Sequence, residues 1–353
     1  MPAAPSQHDP ADLKWMSAAI QEARRGIGLT SPNPPVGAVI VKDGELIGAG
    51  HHRKAGGPHA EIEALKQARE KFPGRIQGAT IYITLEPCST QGRTPPCTSA
   101  LLEAGLAQVV YGTGDPNPAH QGRADTLLRQ EGVRVTAGVM EKECADLIRP
   151  FRKWISTGLP YIIAKAGQSL DGRITRPPGE PQWITSEAAR AHAHRLRQRV
   201  DAILVGAETI RRDNPLLTLR NGSAQSGKPQ PWRVVLSRSG ELPRDAHVFT
   251  DEFKERTLVL PSMEFADTMR ELAKREITSV LIEGGGIILG QAFRGGFVDE
   301  AHWYLAPRFC GGGRPSLAGL AFERSIEMTG VQILPLGDNV LVSGYPVWQE
   351  DKA

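Results

Sequence analysis

The feature that most limits what this chain can fold into is a set of four side chains: His59 and Glu61 in PHAEIEALKQA, and Cys88 and Cys97 in EPCSTQGRTPPC. On a regular helix, positions i and i+2 point about 200° apart, so His59 and Glu61 share a pocket only if His59 stands at the helix entrance. Pro58, directly before it, fits that placement. Cys88 ends a strand after Pro87, and Cys97 follows Pro95-Pro96 at the start of the next helix. Helix N-termini carry positive potential and unpaired N–H groups, which favour the thiolate that a metal needs. One imidazole and two thiolates leave a fourth tetrahedral position open, the mark of a catalytic zinc site rather than a structural one. Zinc brings the pKa of bound water towards ~7, and a carboxylate outside the metal's shell can shuttle the proton. Glu61 is the candidate for that task, and Glu86 is expected to be structural. Each half of the pattern is weak alone. Their combination carries the reading.

Composition sets the frame. A chain of 353 residues favours two domains, because single cores rarely grow past ~250–300 residues. Its 40% apolar and 23% charged residues are ordinary for a globular protein. No apolar run approaches the ~18–20 residues of a membrane span. The opening MPAAPSQHDPADLKW lacks the basic start and apolar stretch of a signal peptide and reads as a loose tail, so a cytoplasmic location is expected. A net charge of +3 is too small to imply a nucleic-acid partner but suits an anionic small molecule. In a reducing compartment, the close Cys88/Cys97 pair points to metal or redox chemistry, while Cys144 and Cys310 read as small buried hydrophobes.

Along the chain, strands alternate with helices. DLKWMSAAIQEARRGIG is an amphipathic helix; Val36 to Val41 is a strand that turns at Asp43-Gly44 into a second. HAEIEALKQAREKF (helix), ATIYITLEP (strand), PPCTSALLEAGLAQ (helix), QVVYGTGDPNP (strand and turn), ADTLLRQEG (helix) and VRVTAGV (strand) follow, then a helix from Glu141 to about Ser156. This is a layered α/β domain over residues 10–157. The pattern restarts over 158–353: LPYIIAKAGQSLDGRI is a strand and turn, and SEAARAHAHRLRQRV is a helix capped by Ser186. DAILVGAETI runs from strand into turn, and PWRVVLS, RTLVLP and ITSVLIEGGG are strands. NGSAQSGKPQP reads as a surface loop. His192 and His194 lie on different helix faces and make a poor chelate.

SVLIEGGGIILG, an apolar strand running through three glycines into a helix start, is a second chemical signal. Bare N–H groups at a helix start bind anions, and glycines let a phosphate approach closely. The dinucleotide fingerprint G-x-G-x-x-G is not met, since Leu289 occupies its last position, so these residues alone are weak evidence for a dinucleotide and favour a tight strand-to-helix turn. CGGGRP, from Cys310, reads as a loop.

His59-Ala60-Glu61 with Pro87-Cys88 and a second cysteine resembles the zinc-dependent nucleobase deaminase signature, whose glutamate is the acid/base and not a ligand. Eight residues between the cysteines, with SPNPPVGAVIV, TLEPC and GRTPPC, narrow the resemblance to the bifunctional riboflavin-biosynthesis deaminase/reductases. KAGQSLDGR, QWIT, ILVGAETIRRDNPLLTLR and IEGGG are similar to that family's reductase half. The resemblance implies a cytidine-deaminase-like three-layer domain followed by a dihydrofolate-reductase-like domain. It implies zinc on His59, Cys88 and Cys97, with Glu61 catalytic and Asn33 bonded to the pyrimidine. It implies NADPH against Gly167, Trp183, Thr209, Asp213 and the run Gly285, Gly286, Ile287, Ile288, Leu289, Gly290 and Gln291. The ribose phosphate would meet Lys165, Pro181 through its backbone, Arg197, Leu217, Arg220 and Glu283. Arginines would clamp phosphate bidentately, and Lys165 and Glu283 would handle protons as hydride reaches the sugar. The family's histidines after Cys-Ser are replaced here by Thr90 and Gln91, a serine near the QW pair by Pro181, and an Asp and small polar residue by Ser237-Arg238, where Arg238 is a candidate for the cofactor's 2′-phosphate.

The expected activity is hydrolytic deamination of 2,5-diamino-6-(5-phosphoribosylamino)pyrimidin-4-one, then NADPH-dependent reduction of its ribosyl group to ribityl, by a homo-oligomer (dimer or tetramer) with no nucleic-acid or membrane partner. Two competing readings are a nucleic-acid base deaminase with an accessory domain and a non-catalytic zinc-stabilised binding module.

Overall fold

A computed structural model describes residues 8–90, 95–118, 120–220, 227–261, 263–319 and 324–348; Gln91, residues 1–7 of the expected tail and 221–226 of the expected loop lie outside the described residues. The chain divides into two compact units, Met1–Gly158 and Leu159–Ala353.

The first unit contains α1 (Pro10–Arg24), β1 (Gly37–Lys42), β2 (Glu45–His51), α2 (Ala60–Lys71), β3 (Thr80–Leu85), α3 (Cys97–Glu103), β4 (Gln108–Thr113), α4 (Arg123–Gln130), β5 (Arg134–Ala137), α5 (Glu141–Leu147) and α6 (Arg149–Thr157). Its five-stranded sheet has the order β2-β1-β3-β4-β5. Strand β1 is antiparallel to both neighbours, and β3, β4 and β5 are parallel. The hairpin turns where expected: Asp43 (φ 51°) and Gly44 (φ 75°) both take the left-handed angles of a tight two-residue turn.

Alternation along the strands splits the core into two faces. Val39, Val41, Tyr82 and Val110 pack under Met16 and Ile20 of α1 and Cys144 of α5. Ile40, Ile81, Ile83 and Val109 face Ala64 and Leu65 of α2, Leu101 of α3 and Leu128 of α4. The result is three layers, helix on sheet on helix. The single helix expected from Glu141 to Ser156 is instead two, parted at Ile148, because Pro150 in the first turn of α6 has no N–H to continue α5.

Two glycines set the position of α2. A Cβ on Gly48 would lie 2.5 Å from the Ala64 carbonyl oxygen, and one on Gly50 would lie 2.5 Å from the Ala64 nitrogen. The helix therefore rests with its backbone directly on β2, and this seat fixes its N-terminus, where His59 and Glu61 stand.

The second unit contains β6 (Tyr161–Ser169), α7 (Glu187–Leu196), β7 (Ala202–Gly206), α8 (Ala207–Asp213), β8 (Trp232–Ser237), α9 (His247–Thr250), β9 (Thr257–Pro261), α10 (Phe265–Lys274), β10 (Ser279–Ile282), α11 (Gly286–Arg294), β11 (Glu300–Ala306), β12 (Met328–Leu336) and β13 (Asn339–Pro346). Its eight-stranded sheet runs β12-β13-β11-β6-β10-β7-β8-β9. The strands from β11 to β9 in that order are mutually parallel, and β13 and β12 close one edge as antiparallel strands. Leu204, Val234, Val280 and Ile282 bury against α10 and α11 on one face. Ile203, Val205 and Val235 bury against Ile210 of α8 and Val248 of α9 on the other. Ser186 caps α7, its hydroxyl accepting from the Ala189 N–H at 3.3 Å. The turn expected after β7 is the short helix α8. Helix α10 and strands β11 to β13 went unread; β12 is exposed over most of its length and so has no buried face to alternate. No helix among the described residues is long and apolar enough to cross a membrane.

The seat of α2 generates a stability prediction. Gly50→Ala should lower the unfolding free energy by about 1–3 kcal/mol through overpacking against α2. Gly56→Ala, at φ 75° with nothing within 4 Å of its Cβ, should cost about 1 kcal/mol from backbone strain alone. Denaturant midpoints of the two variants, compared with the parent, check the order.

Candidate metal centre and nucleotide cavity

His59 is the N-cap of α2, with extended backbone angles (φ −72°, ψ 164°) that swing its ring away from the helix side. Cys97 is the first residue of α3. Cys88 lies three residues beyond the end of β3. These ends converge. His59 Nδ1 lies 3.2 Å from Cys97 Sγ and 3.6 Å from Cys88 Sγ, and the three donor atoms are all within 4.8 Å of one another. Tetrahedral zinc, with bonds of about 2.0–2.3 Å, spaces its ligands about 3.3–3.8 Å apart, so the donor set fits the ion. The backbone N–H of Cys97 donates to Cys88 Sγ at 3.3 Å, the free amide of a helix start turned on a sulfur.

The protonation pattern agrees. The Cys88 thiol is pulled down to about 4, first by the hydrogen bond from Cys97, then by His59 and the Cys97 amide against the cost of burial. That thiolate in turn raises His59 to about 9, and the hydrogen bond to Cys88 with burial pushes the Cys97 thiol upward. The cluster holds protons that a divalent cation displaces on binding. Glu61 is 3% exposed, and burial raises its pKa above the usual carboxylate range. It sits against Cys97 as a buried ionisable group beside the donor atoms.

Around this centre, Glu86 has the structural role expected: its carboxylate accepts backbone N–H bonds from Asp115 (3.3 Å), Gly122 (3.1 Å) and Ala124 (3.3 Å), tying down the β4–α4 loop. Thr90 Oγ1 lies 2.8 Å from Nδ1 of His120 in that loop. Asn33 approaches the centre through His52, a buried residue that the sequence reading passed over because nothing in its spacing marks it.

The second unit holds a cavity of about 1690 Å³ at the C-terminal ends of β6, β7, β8 and β10. This is where open parallel sheets bind ligands. Lys165, Gly167, Trp183, Arg197, Thr209, Asp213, Leu217, Arg220, Glu283, Gly285, Gly286, Ile287, Ile288, Leu289, Gln291 and Arg238 all line it. Pro181 does not, although Glu180 and Gln182 on either side do. Gly290 points away into the core, where a Cβ would meet the Ala318 carbonyl at 2.3 Å. The glycine run shapes the wall. Gly285 takes φ 54° and has nothing within 4 Å of a Cβ position, so a phosphate can reach its backbone at the start of α11. The CGGGRP stretch read only as a loop also contributes wall, through Arg314 and Pro315.

The expected roles of two residues change. Arg197 spends its guanidinium bidentately on Glu283 (Nε–Oε1 2.6 Å, Nη2–Oε2 2.8 Å) and on the Thr218 carbonyl (2.8 Å), which leaves it poorly placed for a second bidentate clamp on phosphate. Burial acts to raise Glu283, but Arg197 and then Lys165 outweigh it and hold the carboxyl at about 2. It is therefore ionised at neutral pH and is no proton donor. Leu217, 2% exposed, holds the left-handed angle φ 51° at the cavity wall, a strained conformation for a branched residue. His192 and His194 diverge as expected, one to Tyr304 Oη (2.9 Å) and the other to Arg197 (3.3 Å).

Comparison with known proteins agrees with both halves. Residues 160–342 match the RibD C-terminal domain, and residues 10–113 match the cytidine and deoxycytidylate deaminase zinc-binding region. A riboflavin biosynthesis protein RibD of Synechocystis is 39% identical, covering 97% of this chain and 98% of its own. The Escherichia coli protein of that name is 40% identical over 85% of this chain and 89% of its own. Among solved structures, an Acinetobacter baumannii RibD has a TM-score of 0.87 at 36% identity, with 96% and 99% of the two chains covered. A Thermotoga maritima diaminohydroxyphosphoribosylaminopyrimidine deaminase/5-amino-6-(5-phosphoribosylamino)uracil reductase has a TM-score of 0.85 at 33% identity, covering 96% and 99%. With a deaminase-like three-layer unit, a dihydrofolate-reductase-like unit and relatives matched over nearly their full length, this chain belongs to the RibD family of bifunctional deaminase/reductases of riboflavin biosynthesis.

Proposed function

We propose that the first unit deaminates 2,5-diamino-6-(5-phosphoribosylamino)pyrimidin-4-one and that the second reduces the ribosyl group of the product to ribityl. The observation that carries the deaminase reading is the three-donor cluster with a buried carboxylate beside it and no fourth protein ligand among the described residues. His59, Cys88 and Cys97 would hold zinc, which would supply Lewis-acid activation of water, and the second unit's cavity would hold NADPH, which would supply the hydride.

The chain's own groups do the rest. Glu61 takes a proton from the attacking water and returns it to the exocyclic amino group. The C–N bond breaks, ammonia leaves, and a carbonyl stands in its place. Asn33 holds the pyrimidine edge. In the second unit, Gly285 and Gly286 at the start of α11 would hold the cofactor's phosphates, and Arg220 in the same cavity would meet the ribose phosphate. Glu283, fixed by Arg197, stays a carboxylate and orients Lys165, which delivers the proton as hydride reaches the sugar C1 carbon. The four free cysteines support a reducing cytoplasm, and the exposed edge strand β12 supports a homo-oligomer.

The test is to supply the diaminopyrimidine with and without NADPH and identify the products by mass. Without it, one product should form, with the amino group replaced by oxygen; with it, that product should gain two hydrogens. Appearance of neither, with activity on RNA instead, would overturn the proposal. Glu61→Gln should keep parental zinc content but lose about 10²–10⁴-fold in deamination, while reduction of the pre-formed uracil is unchanged. Glu283→Gln breaks a buried pair and should destabilise the second unit by about 3 kcal/mol at neutral pH. Because the folded Glu283 lies at about 2 against an ordinary 4.5, the difference between parent and variant should be full above pH 5 and shrink as pH falls through 4.5 towards 2. Denaturation of both proteins across that range measures it.

A further inference from the structure

His52 is 2% exposed and belongs to neither the metal ligands nor the expected substrate contacts. Its Nδ1 lies 2.9 Å from the carbonyl oxygen of Pro58, the residue before the ligand His59. Its Nε2 lies 3.1 Å from Asn33 Nδ2. Its ring stands edge-on to that of His59, with centroids 5.4 Å apart. The chemistry of these partners fixes every proton. A carbonyl only accepts, so Nδ1 carries the hydrogen and donates to Pro58. In the neutral ring Nε2 is then a bare acceptor, and the partner it meets must donate. Asn33 therefore turns its NH₂ to His52, which leaves its Oδ1 as the acceptor presented elsewhere.

We infer that His52 is a positioning residue of the deaminase: by its tautomer it sets the amide orientation of Asn33, so that Asn33 Oδ1 accepts an N–H of the aminopyrimidine. This rests on the reading above, in which Asn33 contacts the pyrimidine. It adds the direction of the bond and the residue that decides it. A heterocycle presenting an N–H donor at that edge is accepted; one presenting a bare ring nitrogen or carbonyl there meets an acceptor and is refused. Without His52, the Asn33 amide is free to rotate between the two, and selection at that edge is lost.

Two near-isosteric variants separate this role from simple support of the loop. His52→Asn keeps a donor near the Nδ1 position for Pro58 but removes the acceptor for Asn33. His52→Gln keeps an acceptor near the Nε2 position but gives up the Pro58 bond. The Michaelis constant for the diaminopyrimidine should rise about tenfold in His52→Asn, the worth of one hydrogen bond, with zinc content and melting temperature near the parent. His52→Gln should stay within about threefold of the parent. Asn33→Ala should show a similar rise, and Asn33→Ala combined with His52→Asn should be no worse than Asn33→Ala alone, since both remove one interaction. Rescue by Asn rather than Gln, additive single effects, or loss of zinc in step with activity would overturn the inference while leaving the role of Asn33 intact. An Asn33→Ala protein with unchanged kinetics would remove the proposed pyrimidine contact itself, and this inference with it.

Discussion

The deaminase half depends on a metal-ligand set built from chain ends rather than from one rigid element. His59 stands just ahead of α2, Cys97 opens α3, and Cys88 follows β3, yet their donor atoms come within 4.8 Å of one another. None of the three is placed by its neighbours in sequence. What places them is the packing of backbone on backbone, α2 on β2 through Gly48 and Gly50, with Leu65 and Leu101 sharing one buried face of the sheet. The same arrangement points backbone amides inward, and one of them, from Cys97, is spent on the Cys88 sulfur. Glu61, buried beside the donors with its pKa raised, is not one of them.

The reductase half solves a different problem, how to hold opposite charges in a cavity that must also accept phosphates. Arg197 and Glu283 are 7% and 10% exposed at their side chains and satisfy each other bidentately. That pairing keeps Glu283 ionised against the pull of burial, and so makes it an anchor rather than an acid. The cations at the cavity are not equivalent: Arg211 and Arg212 both pair with Glu208, and Arg197 is spent on Glu283, while Lys165 stands close enough to Glu283 to help depress its pKa.

The parts legible in sequence were those with local signatures. Asp43-Gly44 could only be a tight turn between two alternating runs, and Ser186 could only gain by capping the helix that follows. The four side chains of the metal centre were legible because prolines mark the chain ends on which they sit. What escaped had no local signal. The break at Ile148 depended on whether Pro150 would start a new helix or bend an old one. Strand β12 buries too little of itself to alternate. The roles of Arg197 and Glu283 were invisible because each looks like a ligand-binding charge until the other is seen across 86 positions. His52 was missed for the same reason: its two bonds run to residues 19 positions before it and six after it.

The central claim is an incomplete protein shell around zinc, and X-ray absorption at the zinc edge of the purified protein tests it most directly. Two sulfur neighbours and two lighter ones, one of the latter replaced when a small anionic ligand is added, is the result expected. A shell of four protein donors that no added ligand disturbs would contradict the account, because the metal would then only hold the fold together.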